Sequence, residues 1–203
     1  MATSEAAPRA RGEYAKSAQR RTDIISAAVE VFSESGFRDG TLRTVAERAG
    51  MTHAGMRHHF PTKVDLLEAV LKWREVDTLQ RARLAQPIGI DVIRAWIASV
   101  AENTTRPVLV ELEAVLSAEA ISADNPAHGY FNDLYQRAEE LLTRAFVTMA
   151  EQGELRAEIE PGVAARLLLS TTLGLQSLWL RNRSIDVATE LRTYIGVLLA
   201  VEL

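Results

Sequence analysis

From residue 17 onward, apolar residues recur three and four positions apart and never alternate over the length of a strand, which confines this chain to packed helices. The pattern is tightest over 41–63, TLRTVAERAGMTHAGMRHHFPTK. There Leu42, Val45, Ala46 and Ala49 fall on one face of a helix of about two turns. Thr41 stands where a hydroxyl can accept from the first helical amides, and Gly50 stands where a helix ends in a left-handed residue. Thr52 then caps a second helix whose inward residues are Met56 and Phe60, and Pro61 stops it. Thr62-x-x-Asp65 is a capping box for the next helix. Helix, turn, helix, stop and new helix follow one another within about 25 residues.

With Met56 and Phe60 turned inward, His53, Arg57 and His58 lie around the outer side of the second helix, and Lys63 lies near the same edge. A short helix of this kind fits the major groove of duplex DNA. There an arginine donates two hydrogen bonds to guanine, and an imidazole donates to purine N7 or to a phosphate. Ala54 and Gly55 allow close approach to base edges. A plain three-helix packing unit with a polar face is the alternative; the caps, the glycine turn, the small Ala46 and the basic outer face agree on the reading helix. A metal site is not expected. His53 and His58 are five residues apart and His58 and His59 are adjacent, so no pair shares a helical face.

The 203 residues are 47% apolar, enough for one substantial core and a smaller satellite. Cysteine is absent, so neither a disulfide framework nor thiolate catalysis is available. No apolar run approaches the roughly 20 residues of a membrane span and no signal-peptide core is evident, so a cytoplasmic protein with no membrane partner is expected. The net charge of −4 is unevenly spread. Residues 1–63 carry ten Lys/Arg against seven Asp/Glu, and residues 64–203 carry thirteen against twenty. The basic end coincides with the helix-turn-helix, as attraction to phosphate requires.

Residues 1–16 lack apolar periodicity and read as a flexible arm. Its arginines and Lys16, with Arg20 and Arg21 just beyond, would reach a phosphate or minor groove, or else serve only as a solubilising tail. A helix at about 17–35, carrying Ile24, Ala28, Val31 and Phe32, braces the reading pair. Further helices are expected at about 63–85, 90–104 and 107–123, together walling an interior cavity. Others are expected at 126–152, 161–181 and 185–202. The helix at 161–181 is apolar nearly all round and needs two burial partners. Ser170, Thr171, Gly174, Ser177 and Leu178, with Ala145 and Met149 of the preceding helix, would form a four-helix interface between two copies. A central helix buried in a monomer would show the same composition.

The run GMTHAGMRHHFPTK from Gly50 to Lys63 resembles the signature of the tetracycline-repressor-type (TetR/AcrR) regulators, as does TDIISAAVEVFSESGFRDG from Thr22 to Gly40. The resemblance covers roughly 17–75; beyond it only helix count and a GELRAEIEP loop agree. It implies an all-α protein: a three-helix DNA-binding domain with a helix-turn-helix at 17–63, and a larger helical ligand-binding and dimerisation domain at 64–203. Matched position by position, Arg43, His53, Gly55, Arg57 and His58 become base-edge readers, and Thr41, Thr52, His59 and Lys63 phosphate contacts. His53 and Arg57 depart from the family's usual Lys and Tyr, so the preferred bases are this chain's own. The resemblance also implies a homodimer on a palindromic double-stranded operator, released by a small molecule. The effector would be largely apolar, since aromatics make apolar walls: Trp73, Trp96, Tyr130, Phe131 and Trp179, with Leu112. Neither a cofactor nor an enzyme activity is expected, because no acid-base set converges. A ligand-independent DNA-associated protein, or an activator, is the alternative.

Overall fold

The computed structural model describes residues 8–82 and 87–201, with side chains at 16–77 and 87–201. Among these residues the chain forms nine helices and no strand longer than an isolated bridge. They are α1 (Pro8–Asp39), α2 (Leu42–Arg48), α3 (His53–His59), α4 (Lys63–Ala82), α5 (Ile90–Asn103), α6 (Pro107–Glu119), α7 (His128–Glu151), α8 (Pro161–Arg181) and α9 (Val187–Leu198).

α1 is longer than expected at both ends. It starts at Pro8, well placed at a first helical position, and runs through much of the stretch expected to be an arm. Residues 9–16 are mostly good helix formers, and extending an existing helix costs far less than nucleating one. Residues 1–7 of the expected arm, and the side chains of Arg9 and Arg11, lie outside the described residues. At the other end α1 kinks at Gly36, whose φ of 72° suits glycine, before finishing at Asp39.

The helix-turn-helix is built by the caps foreseen for it. Thr41 accepts from the Thr44 amide at 3.0 Å, and Thr52 from the Gly55 amide at 3.1 Å. Gly50, at φ 63°, ends α2: its N–H donates to Glu47 and that of Met51 to Ala46, a Schellman pair. Thr62 and Asp65 cap one another reciprocally at the head of α4.

Two apolar clusters make the interior. One gathers α1 to α4 and takes in Leu109, Leu112 and Leu116 of α6 and Phe131 of α7. The other gathers α5, α7, α8 and α9, with Val110 of α6. α6 therefore contributes to both. It ends at Glu119, earlier than expected. Buried Asn125 accepts from the Ala127 amide, and the His128 imidazole reaches the Ala120 carbonyl at 2.8 Å, so side chains close the connection to α7. A two-stranded touch between Leu155 and Leu199 fastens the loop after α7 to the end of α9.

Pro161–Arg181 (α8) is long and apolar enough to cross a membrane by length and composition alone, with a mean hydropathy of 1.2 over 18 residues. One face of it packs into the chain's own core, burying Ala164, Ala165, Leu168 and Trp179. Arg166, within it, pairs with Glu139 at 3.0 Å.

Candidate nucleic-acid interface and internal cavity

The outer surface of α2 and α3 carries the residues expected to meet DNA. Met56 and Phe60 are fully buried, and His53, Arg57 and His58 are exposed as that burial requires. Arg43, also exposed, rests on Glu47 at 3.0 Å. Exposed pairs of this kind are weak, so phosphate or guanine can take the guanidinium from Glu47. Gly55 is confined: a Cβ there would come within 3.3 Å of Thr52 Oγ1. Because the Thr41 and Thr52 oxygens accept from helix amides, only their O–H is left to donate to a phosphate. His59 is half-buried at the end of α3, its ring edge-on to His58.

Two arginines fix this unit to α1. Arg21 donates to the His59 carbonyl at 3.1 Å, and its guanidinium lies 4.1 Å from the Phe60 ring centre. Arg48 pairs with Glu34 at 2.8 Å and Glu30 at 3.1 Å, and the hydrogen bond from Arg48 holds the Glu34 carboxyl below its ordinary range. Lys63, expected at a phosphate, reaches back to the end of α1. Its ammonium donates to the carbonyls of Phe37 at 2.7 Å and Arg38 at 3.1 Å, and sits 4.5 Å from the Phe37 ring centre. It closes the last turn of α1, as cations do at helix C-termini. No sequence spacing announces a partner 26 residues upstream.

Inside the remaining helices is a cavity of about 260 Å³, bounded by α4, α5, α6, α7 and α8. Three walls were expected from α4 to α6; α7 and α8 supply the others. Of the expected lining residues, Trp96, Leu112, Tyr130 and Phe131 face the space. Trp73 and Trp179 do not. Trp73 is two residues past the lining Leu71, about 200° further round α4, and packs on the core of the N-terminal helices. Trp179 lies beyond the last lining residue of α8, buried under the Arg183 guanidinium at 3.8 Å.

The cavity's polar residues were largely missed. Arg74 meets Glu113 at 3.4 Å, and Arg137 meets Glu75 at 3.7 Å. Trp96 donates to Thr172 Oγ1 at 3.0 Å. Burial pushes the Glu113 carboxyl up against the opposing pull of Arg74, and pushes the Tyr135 hydroxyl up to about 12. Glu113 faces the cavity, whereas its neighbour two residues earlier on α6 and the first residue of α7 do not. Glu111 is half-exposed and pairs with Arg183, and His128 bridges the end of α6 to α7. Gln176 was the one signal available from sequence, a carboxamide within a largely apolar helix.

The family model described as bacterial regulatory proteins, tetR family, matches residues 24–70, which run from α1 through α2 and α3 into α4. The transcriptional repressor KstR2 of Rhodococcus jostii is 25% identical over 89% of each chain. The chain belongs to the tetR family of regulators. Salmonella enterica GusR superposes with a TM-score of 0.65 at 26% identity, covering 90% of this chain and 96% of that one. A structure solved for the control of antibiotic production by bacterial hormones gives 0.64 at 25% identity, covering 90% and 98%. The names of these tetR-family relatives describe regulation rather than an enzyme reaction.

In this tetR-family member, two residues expected at an interface between copies are instead core. Ala145 and Met149 are 3% and 0% exposed, packed with Leu142 and Phe146. Periodicity identifies a buried stripe without saying which surface buries it. On the outward face of α8, Leu178 is 54% exposed, Ser170 and Gly174 are exposed, and Thr171 and Ser177 are half-buried. Val163 and Leu167 extend that face, and Leu141 and Val147 of α7 are exposed as well. A side chain at Gly174 would meet open space.

Proposed function

We propose that this chain is a transcriptional repressor that holds a palindromic operator as a homodimer and lets it go when a small molecule occupies the internal cavity. The exposed trio His53, Arg57 and His58 carries the reading, because it stands on a helix whose caps, Gly50 turn and Arg21 clamp leave it rigid. In a dimer two copies of α3 would enter successive major grooves roughly 34–36 Å apart. Arg43, His53, Gly55, Arg57 and His58 read base edges; Thr41, Thr52 and His59 contact phosphate. Residues 17–63 form the DNA-binding unit and residues 64–203 the effector and dimerisation unit. DNA as the target puts its place of action in the cytoplasm.

The dimer is supported by the outward faces of α7 and α8, where Leu141, Val163, Leu167 and Leu178 are uncovered and Gly174 leaves room for a second backbone. Response to an effector is supported by α6, which lends Leu112, Glu113 and Leu116 to the cavity and ends in Glu119 against the last turn of α1. A ligand changes DNA affinity only as far as it binds one arrangement of these helices better than the other.

Selection of duplexes from random pools by the purified protein, followed by footprinting, tests the reading. The expected product is an inverted repeat with half-sites one helical turn apart. If no duplex is retained above a scrambled control in dilute buffer, the repressor reading fails.

A further inference from the structure

Several of the polar side chains that line the cavity already face one another. The guanidinium of Arg74 faces Glu113, that of Arg137 faces Glu75, and Trp96 and Thr172 satisfy one another. Gln176 is only 9% exposed, yet its carboxamide has no hydrogen bond to any group among the described residues. It stands between the main cavity and a recess of about 190 Å³, which share Glu113, Tyr135, Leu173 and Gln176 as a wall. Its polar atoms are therefore left to whatever fills the space, and a molecule that displaces water from them without supplying a partner forfeits that hydrogen bond.

We propose that the cavity takes an uncharged, largely apolar molecule that presents a hydroxyl or carbonyl group to the Gln176 carboxamide. This rests on reading the cavity as the effector site. The amide offers a donor and an acceptor on one planar group, so it serves either kind of head group. Leu71, Val100, Leu116, Phe131 and Leu134 take the apolar body. A cavity of roughly 150 Å³ holds benzene. The larger space here suits two fused rings. A charged ligand is disfavoured because Arg74 already faces Glu113 and Arg137 faces Glu75, so a new charge would be buried without a counterion or would break a pair.

Calorimetric titration of the full chain at neutral pH with 2-naphthol, naphthalene, 2-naphthoate and 2-naphthylmethylammonium tests this on one ring system. The expected order places 2-naphthol about fivefold or more tighter than naphthalene and at least about tenfold tighter than either ion. Gln176→Met, close in size and lacking the amide, should bind naphthalene as before and lose the preference for the hydroxyl. Tighter binding of an ion, an undiminished preference in a folded Gln176→Met protein, or no binding of any of the four overturns the proposal. The wild-type ranking needs no substitution, so a variant that misfolds leaves it decisive. The titration contains no DNA: a protein with this ranking that retains no duplex sinks the repressor reading alone, and an operator-binding protein that prefers an ion sinks only this inference.

Discussion

Glu119 Oε2 accepts a hydrogen bond from the backbone N–H of Phe37 at 2.8 Å, tying the last residue of α6 to the bend at the end of α1. The Arg38 N–H donates to the same carboxylate at 3.3 Å, and a Cβ on Gly36 would run into it. The helix that walls the cavity thus grips the segment from which α2 and α3 depart, 82 residues earlier in sequence. Glu119→Ala should lower stability by about 1–3 kcal/mol, since two amides lose a charged acceptor. Operator affinity without ligand should change less than the ratio of affinities with and without a cavity ligand. Urea unfolding combined with operator titration checks both; an unchanged ratio would remove Glu119 from the coupling route.

Arg57→Ala should cost about 1–3 kcal/mol on the selected operator and much less on random duplex, because a base contact is lost and little phosphate attraction. Competition binding at fixed salt measures the difference. Lys63→Ala should behave otherwise: with its ammonium on the carbonyls of Phe37 and Arg38, the expected loss is in thermal stability, with little change in the salt dependence of binding.

Leu178→Glu should turn the dimer into a monomer, since it places a charge on an apolar face that another copy would have to bury. Light scattering should give a mass near 22.4 kDa for the variant and twice that for the parent. A parent already at the smaller mass contradicts the dimer.

Met149→Ala gives the opposite pattern. Its side chain is fully buried in its own chain, so truncation should destabilise the fold by about 2–5 kcal/mol while the oligomeric state persists in the folded fraction. Denaturant unfolding together with sizing separates the two effects.

Acid should loosen particular helix starts. Amides of Gly162 and Val163 hold the Glu160 carboxyl below its ordinary range, and the Thr189 amide and hydroxyl do the same for Asp186. A carboxyl lowered in the folded state contributes stability that is fully present above its unfolded pKa and is lost as pH falls through the folded value. Stability of the parent should therefore fall relative to Glu160→Gln and Asp186→Asn below about pH 4.5, and the curves should converge in strong acid. Chemical unfolding across that range tests the sign.

What was legible in the sequence was local. Thr41, Gly50, Thr52 and the Thr62/Asp65 box act within four residues of themselves, so composition and spacing placed α2, α3 and the start of α4. Met56 and Phe60 fixed which side of α3 faces out. Contacts spanning the chain left no such trace: Lys63 on Phe37, Glu119 on Phe37, and Gln176 opposite Glu113 and Tyr135 depend on how helices cross. Met149 illustrates the intermediate case. Its burial was readable, but whether its own chain or another covers it depends on the rotation of α7 against α8.

A reading element of seven residues has barely two turns and few internal bonds with which to hold itself. Its far end is fastened by Arg21, a side chain on another helix that grips a carbonyl and a ring from behind. In a genetic screen, then, lesions at Arg21 should masquerade as operator-recognition defects although that residue need never come near a nucleotide.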